Sequence, residues 1–371
     1  MTAMASQVAV LRTRPQTVVE DYGRLLRLVK YDRALPRDQD LILKLNLSWT
    51  KYFPACSSPP WQVDGVLTTL RADGYDRRRL HPVENKTVVT HPVQGCRNNR
   101  WEPVLARHGL RFIPLPDVEW TVYPFRSPLL KLNAIFPEGL EIPKMYVGKN
   151  VLHAPTVKVH GHSQTTGAIK NAFGGLLKEV RHYAHEFIHE VLVDLMYMQR
   201  ELHPAVFAVM DGTVMGDGAG PRTLVPRVGN LILASADQVA IDATAAKIMG
   251  FDPLAIPYLR MCHERGLGVA DPKDIEIVGD EEAARINMGF TTSRSLVIWG
   301  DQLIRKGPLR PLKRLLLHSP LMVWAPFASN VYHDLLWYPT VGRARLRAFA
   351  RTEWGRLFER YGETRPPAGA G

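Results

Sequence analysis

Apolar residues at positions 18, 19, 22, 25, 26 and 29 recur at helical spacing and predict a helix over 17–30, preceded by a short apolar strand at 8–12. Residues 36–40 break that pattern before a second apolar run, 41–47, of the kind buried within a parallel sheet. The pattern then predicts a helix at 61–72, a short strand at 87–90, a helix at 101–108 and an apolar run at 110–115. After a proline-punctuated stretch at 124–143 the alternation resumes, with strands at 150–155, 204–211, 230–235 and 275–279 and helices at 167–178, 187–199 and 237–249. Strands alternating with helices imply an α/β fold of mostly parallel sheets flanked by helices. The interruption suggests two lobes, 1–145 and 146–285, followed by an extension, 286–371. No repeat of fixed period is present.

Composition narrows the class. With 371 residues, 46% hydrophobic and 22% charged, the chain can bury a large core, which excludes intrinsic disorder and a disulfide-stapled miniprotein. Cys56, Cys96 and Cys262 are too far apart for a zinc ribbon or a ferredoxin-type cassette, so no intrinsic iron–sulfur cluster is expected and any electron transfer would need an external partner. Neither a signal peptide nor an eighteen-residue apolar span is evident, and a cytoplasmic location is the expectation.

The formal charge of +11 is concentrated at the end of the chain: residues 301–371 carry twelve Lys and Arg against five Asp and Glu. A body so near neutrality, without a nucleic-acid motif, argues against a DNA or RNA partner. The extension itself, basic and helical with Arg343, Arg345, Arg347 and Arg351 beside Leu346, Phe349, Trp354 and Phe358, has two readings. It either packs on the body with its arginines in water, or sits peripherally on a membrane as an amphipathic element.

The chemistry is densest at 155–175, where Lys158, His160, His162 and Lys170 flank a turn rich in Ser and Thr between a strand and a helix. Backbone N–H groups and the helix dipole favour an anion at such a turn. Lys158 and Lys170 are candidates to pair with phosphate or carboxylate, Thr165 and Thr166 to cap the helix or donate to the same anion, and Gly167 to let backbone approach it. His160 is a candidate acid, base or ligand. Asp211 and Asp217, in an apparent glycine-rich loop after a buried strand, could hold a divalent metal or bind ligand hydroxyls. Asp237 and Asp242 read as a helix N-cap and an acid of the second turn.

The segments Lys158-Val-His160 and Thr166-Gly-Ala-Ile-Lys170-Asn171-Ala-Phe-Gly174 resemble the signature of a prokaryotic family catalogued as domain of unknown function 362. The resemblance extends through residues 43–47, 210–221, 236–243 and 249–253, and covers roughly 40–282. It implies that Lys44 and Asn46, Lys158 and His160, and Lys170 and Asn171 occupy the family's polar positions and converge across the sheet. Some members bear appended ferredoxin-type cysteines, which this chain lacks, and Leu45 stands where the family carries proline. The family has no general reaction, so the resemblance implies a fold and a site, and an activity is left open.

One further pattern competes. His185, Glu186 and His189 satisfy the H-E-x-x-H template of zinc hydrolases, and His182 lies one turn earlier. Glu190 follows where such helices usually carry an uncharged residue, and no third-ligand extension appears. The expectation is therefore an enzyme acting on an anionic small molecule in a cleft between lobes, with unknown cofactor. The alternatives are a non-catalytic cofactor-binding or assembly protein at a membrane, and a zinc hydrolase.

Overall fold

The computed structural model describes residues 6–87, 89–293, 296–305, 307–308, 311 and 324–363. Its strands are β1 (Ser6–Arg12), β2 (Leu41–Lys44), β3 (Leu80–Glu84), β4 (Ile113–Pro114), β5 (Trp120–Tyr123), β6 (Leu140–Pro143), β7 (Asn150–His153), β8 (Thr156–His160), β9 (Gln164–Thr165), β10 (Val206–Ala219), β11 (Thr223–Ser235) and β12 (Ile275–Gly279). The main sheet runs β12-β1-β11-β10-β7-β2-β3-β4, with β8 and β9 attached beside β10. Five of the seven adjacent pairs along that path are parallel, and β11 is antiparallel to both neighbours.

The α/β class with helical flanks is as the alternation predicts, whereas the two lobes merge. Strand β7 lies between β10 and β2, pairing Leu43 with Leu152 on one side and His153 with Ala208 on the other. The boundary drawn near residue 145 thus falls inside one continuous sheet, because β2 and β3 must cover both edges with backbone partners and β7 supplies the missing one. The expected strand at 87–90 reduces to a single bridge between Thr87 and Thr90; the neighbouring strand is β3, whose alternation is masked by Pro82. The proline-punctuated stretch contributes a separate two-stranded ribbon, β5 with β6.

The expected loop at 211–221 is the second half of β10, fourteen residues long, which folds back on β11. A register shift between Gly212 and Val214 keeps the ladder going past the point where the apolar run ends. Gly216 lies against β8 so closely that a Cβ would sit 2.9 Å from that of Lys158.

Of the basic extension, residues 294–295, 306, 309–310, 312–323 and 364–371 lie outside the described residues. The later part is helical and joins the core. Trp354 packs on Trp61 with ring centroids 5.1 Å apart and donates to Asn230 Oδ1 at 2.7 Å. Phe358 stacks on Tyr52 at 3.6 Å, and the Tyr361 hydroxyl donates to Asp64. No helix of the described residues is long and apolar enough to cross a membrane.

Candidate functional site

The parallel strands β2, β3, β7 and β8 end on Lys44, Glu84, His153 and His160 respectively, so four polar side chains gather at the carboxyl edge of the sheet, where open α/β folds bind ligands. Lys44 Nζ reaches Glu84 Oε1 at 2.7 Å and the Leu45 carbonyl at 2.6 Å, and both charged side chains are buried. Asn171 ties this pair to the next strand: its Nδ2 donates to the Lys44 carbonyl at 3.0 Å and contacts His153 Nδ1 at 3.3 Å. The His153 ring in turn meets Gln199 Oε1 at 2.7 Å, and burial lowers its pKa to about 3, so it is neutral.

Lys158 completes the strip. Its ammonium donates to Asn46 Oδ1 at 2.5 Å, Thr156 Oγ1 at 2.7 Å and the Cys56 carbonyl at 3.0 Å, which uses all three N–H donors. Burial, with a smaller push from the charge of Lys44, brings its pKa down to about 8. The structure therefore brings Lys44, Asn46, Lys158 and Asn171 together as the family resemblance implies, but closes both lysines on internal oxygens. In this arrangement both act as ties between neighbouring segments of the sheet edge.

The amino end of the helix Ala168–Leu176 is also occupied from within. Asp242, on the helix Gln238–Met249, accepts from the Ala168 N–H at 2.6 Å and the Ile169 N–H at 3.2 Å. The carboxylate that sequence spacing assigned to the second turn of one helix caps another. A Cβ on residue 167 would lie 2.1 Å from Asp242 Oδ1, so glycine is required there by contact with the cap. Thr165 meets the Tyr258 hydroxyl at 3.0 Å, and Thr166 donates to the Lys158 carbonyl at 3.1 Å, so neither caps the helix. Asp237 does cap its own helix, accepting from Val239 and Ala240.

Next to this closed strip stands a more open group. His160 is 5% exposed, and its Nδ1 accepts from the backbone N–H groups of His162 at 3.1 Å and Ser163 at 3.4 Å. Burial, then the nearby Lys170, His162 and His185, hold its pKa well below the ordinary value. The ring is thus neutral with its proton on Nε2, an N–H that no hydrogen bond among the described residues engages. His162 lies 5.8 Å from His160 by ring centroids, and His185 5.2 Å from His162. Phe173 packs edge-on against His185 and under the half-buried Lys170 ammonium, 4.8 Å from its ring. Sequence reading placed His162 in the motif without a role; its signal was position, two residues past a strand end.

The remaining candidates go elsewhere. Asp211 accepts from Tyr22, Trp61 and Thr213, and burial raises its pKa to about 6. Asp217 accepts from the N–H groups of Gly218 and Thr291 and pairs with Arg227 at 3.2 Å. Six residues of strand separate the two acids by roughly 20 Å, so they do not hold one cation between them. His185 belongs to a tight helical turn, Glu179–Phe187, and His189 to the first turn of the helix Ile188–Leu202. His189 stacks on Tyr258, and the side chain of His182 lies outside the described residues. Among the described residues no three His, Cys, Asp or Glu side chains approach closely enough to share a metal ion.

Residues 41–247, more than half of the chain, match the family described as Domain of unknown function (DUF362). The chain belongs to this family. The DUF362 region contains every residue of the buried strip and of the histidine group, including Glu84 and Asp242, which sequence reading did not place at the site. A thylakoid-associated protein of Synechocystis sp. (strain ATCC 27184 / PCC 6803 / Kazusa) is 28% identical over 120 residues, 32% of this chain and 37% of that relative. The chain thus matches little more than a third of the relative's length. A crystal structure of a Thermotoga maritima protein aligns with a TM-score of 0.38 and 10% identity, over 62% of this chain and 57% of that one.

Proposed function

We propose that this DUF362 protein is an enzyme that binds a phosphate- or carboxylate-bearing small molecule at the carboxyl edge of its sheet. The observation that supports this most directly is the buried His160, whose Nε2–H has no hydrogen-bond partner among the described residues, with Lys170, His162 and His185 nearby. In this reading Lys170 supplies positive charge to the anion, and neutral His160 donates a hydrogen bond to it. His162 and His185, less buried, exchange the proton during turnover. The strip of Lys44, Glu84, Asn46, Asn171 and Lys158 holds the strand ends in register beneath the ligand.

Native mass spectrometry with elemental analysis, on protein purified without chelator, tests the assignment. A co-purified phosphorylated or carboxylated compound, present in the wild type and absent from a folded Lys170→Ala variant, is the expected result. Retention of the compound by Lys170→Ala overturns the site. A stoichiometric transition metal lost in His185→Ala would replace it with the hydrolase reading.

A further inference from the structure

The helices Trp324–Asn330, Val331–Gly342 and Arg343–Ala350 follow one another without a break, the middle one winding as a π-helix around Pro339. Pro339 lacks a backbone N–H, which suits the wider turn. One side of this rod packs on the body. Trp337 meets Phe53 at 5.3 Å, Tyr338 stands edge-on to Trp49 at 5.1 Å, His333 is buried, and Asp334 accepts from the Trp49 indole at 2.8 Å.

The other side is apolar and faces water. Phe327 is 69% exposed, Leu335 67%, Leu336 57% and Val341 42%. Intervals of four to five residues, those of a π-turn, keep Leu336 and Val341 on one line. The next helix adds exposed Arg343, Arg347 and Arg351, spaced by four. A cleft of about 590 Å³ opens beside Arg347, and its charged lining is Lys51, Arg100, Arg347 and a single acid, Glu359.

We infer that this face is a docking surface for an anionic lipid bilayer. An apolar ridge continued by cations is the pattern of an element lying in the headgroup plane: Phe327, Leu335, Leu336 and Val341 enter the acyl boundary while Arg343, Arg347 and Arg351 meet lipid phosphates. Charge complementarity selects this occupant: the exposed arginines beside the apolar residues match the phosphates of an anionic headgroup layer. The inference does not depend on the ligand site, which lies at the carboxyl edge of the sheet.

The test is flotation of the full chain with vesicles of phosphatidylcholine and phosphatidylglycerol, against phosphatidylcholine alone. Binding to the mixed vesicles only, weakened by salt, is expected. Leu335→Asp with Leu336→Asp should reduce it at least about tenfold, and Arg343→Gln or Arg347→Gln about fivefold each. These side chains are exposed, so circular dichroism and the thermal transition should match the wild type, which separates lost docking from lost folding. Deletion of the extension is unsuitable because Trp354 and Phe358 are core residues. Failure of the folded wild type to float, or unchanged flotation of the double variant, overturns the inference. So does a dimer in analytical ultracentrifugation that Leu335→Asp with Leu336→Asp makes monomeric while vesicles stay unbound.

Discussion

Lys44 and Lys158 are sealed beneath the sheet edge, whereas Lys170, from the same sequence motif, remains half-buried beside His160 and Phe173. The sealed lysines donate to a carboxylate on β3, an amide and backbone carbonyls in the loop after β2, and a hydroxyl on β8. The third is a charge held near a buried, neutral imidazole. The contrast is one of enclosure: two lysines are held on internal oxygens at the strand ends, while the third stands half-buried at the start of a helix. A buried ammonium must be paired or fully hydrogen-bonded, and one that already is has nothing left for a ligand.

The sharpest way to break this comparison is to remove the sealed charge. Lys44→Ala leaves the Glu84 carboxylate buried without its ion pair and should cost about 3–5 kcal/mol of stability in denaturant unfolding. If the loss is below about 1 kcal/mol, the strip is not the structural half of the site. A smaller effect should follow Gly167→Ala, where the new methyl group meets the Asp242 carboxylate. Overpacking of that contact costs about 1–3 kcal/mol, and the loss should be less than additive with Asp242→Ala, which vacates the space.

Next in size is a pH effect. Burial raises Asp242 from 3.8 to about 7, so between those values the folded chain holds a proton that the unfolded chain has released. The contribution is complete below the unfolded value and disappears as pH rises through about 7. Asp242→Asn should therefore flatten the decline of stability with pH over this window, by up to about 1.4 kcal/mol per pH unit. Asp211, raised to about 6 by burial, leaves a residual decline at the lower end. An unchanged slope in Asp242→Asn would show that this cap stays ionised in the fold. The smallest change in stability belongs to Lys170→Ala, within about 0.5 kcal/mol, although that substitution is the one expected to empty the ligand site.

Much of the site was legible because its chemistry is local. The Lys158–Asn171 segment joins a strand end to a helix start, and the family pattern brought in Lys44 and Asn46. Glu84 was not legible: it ends a strand interrupted by Pro82, and nothing near it in sequence marks it as the partner of Lys44. Asp242 was legible as an acid on a helix, but the helix it caps begins 74 residues earlier. Asp211 and Asp217 misled because glycine suggests a loop, and here Gly212 and Gly216 permit a bulge and close strand contact in a long hairpin.

The chain alone determined the alternation of strands and helices, the turn that carries Lys158 to Lys170, and the amphipathic character of residues 343–363. Each of these follows from periodicity or neighbouring residues, which act over one or two turns of backbone. Only the tertiary structure decided that the two expected lobes share one sheet, that two lysines are closed on internal oxygens while the third stands half-buried beside Phe173, and that Asp242 caps a distant helix. Those outcomes depend on which distant oxygen reaches a given N–H, and pairing across 40 residues or more is set by packing of the whole sheet.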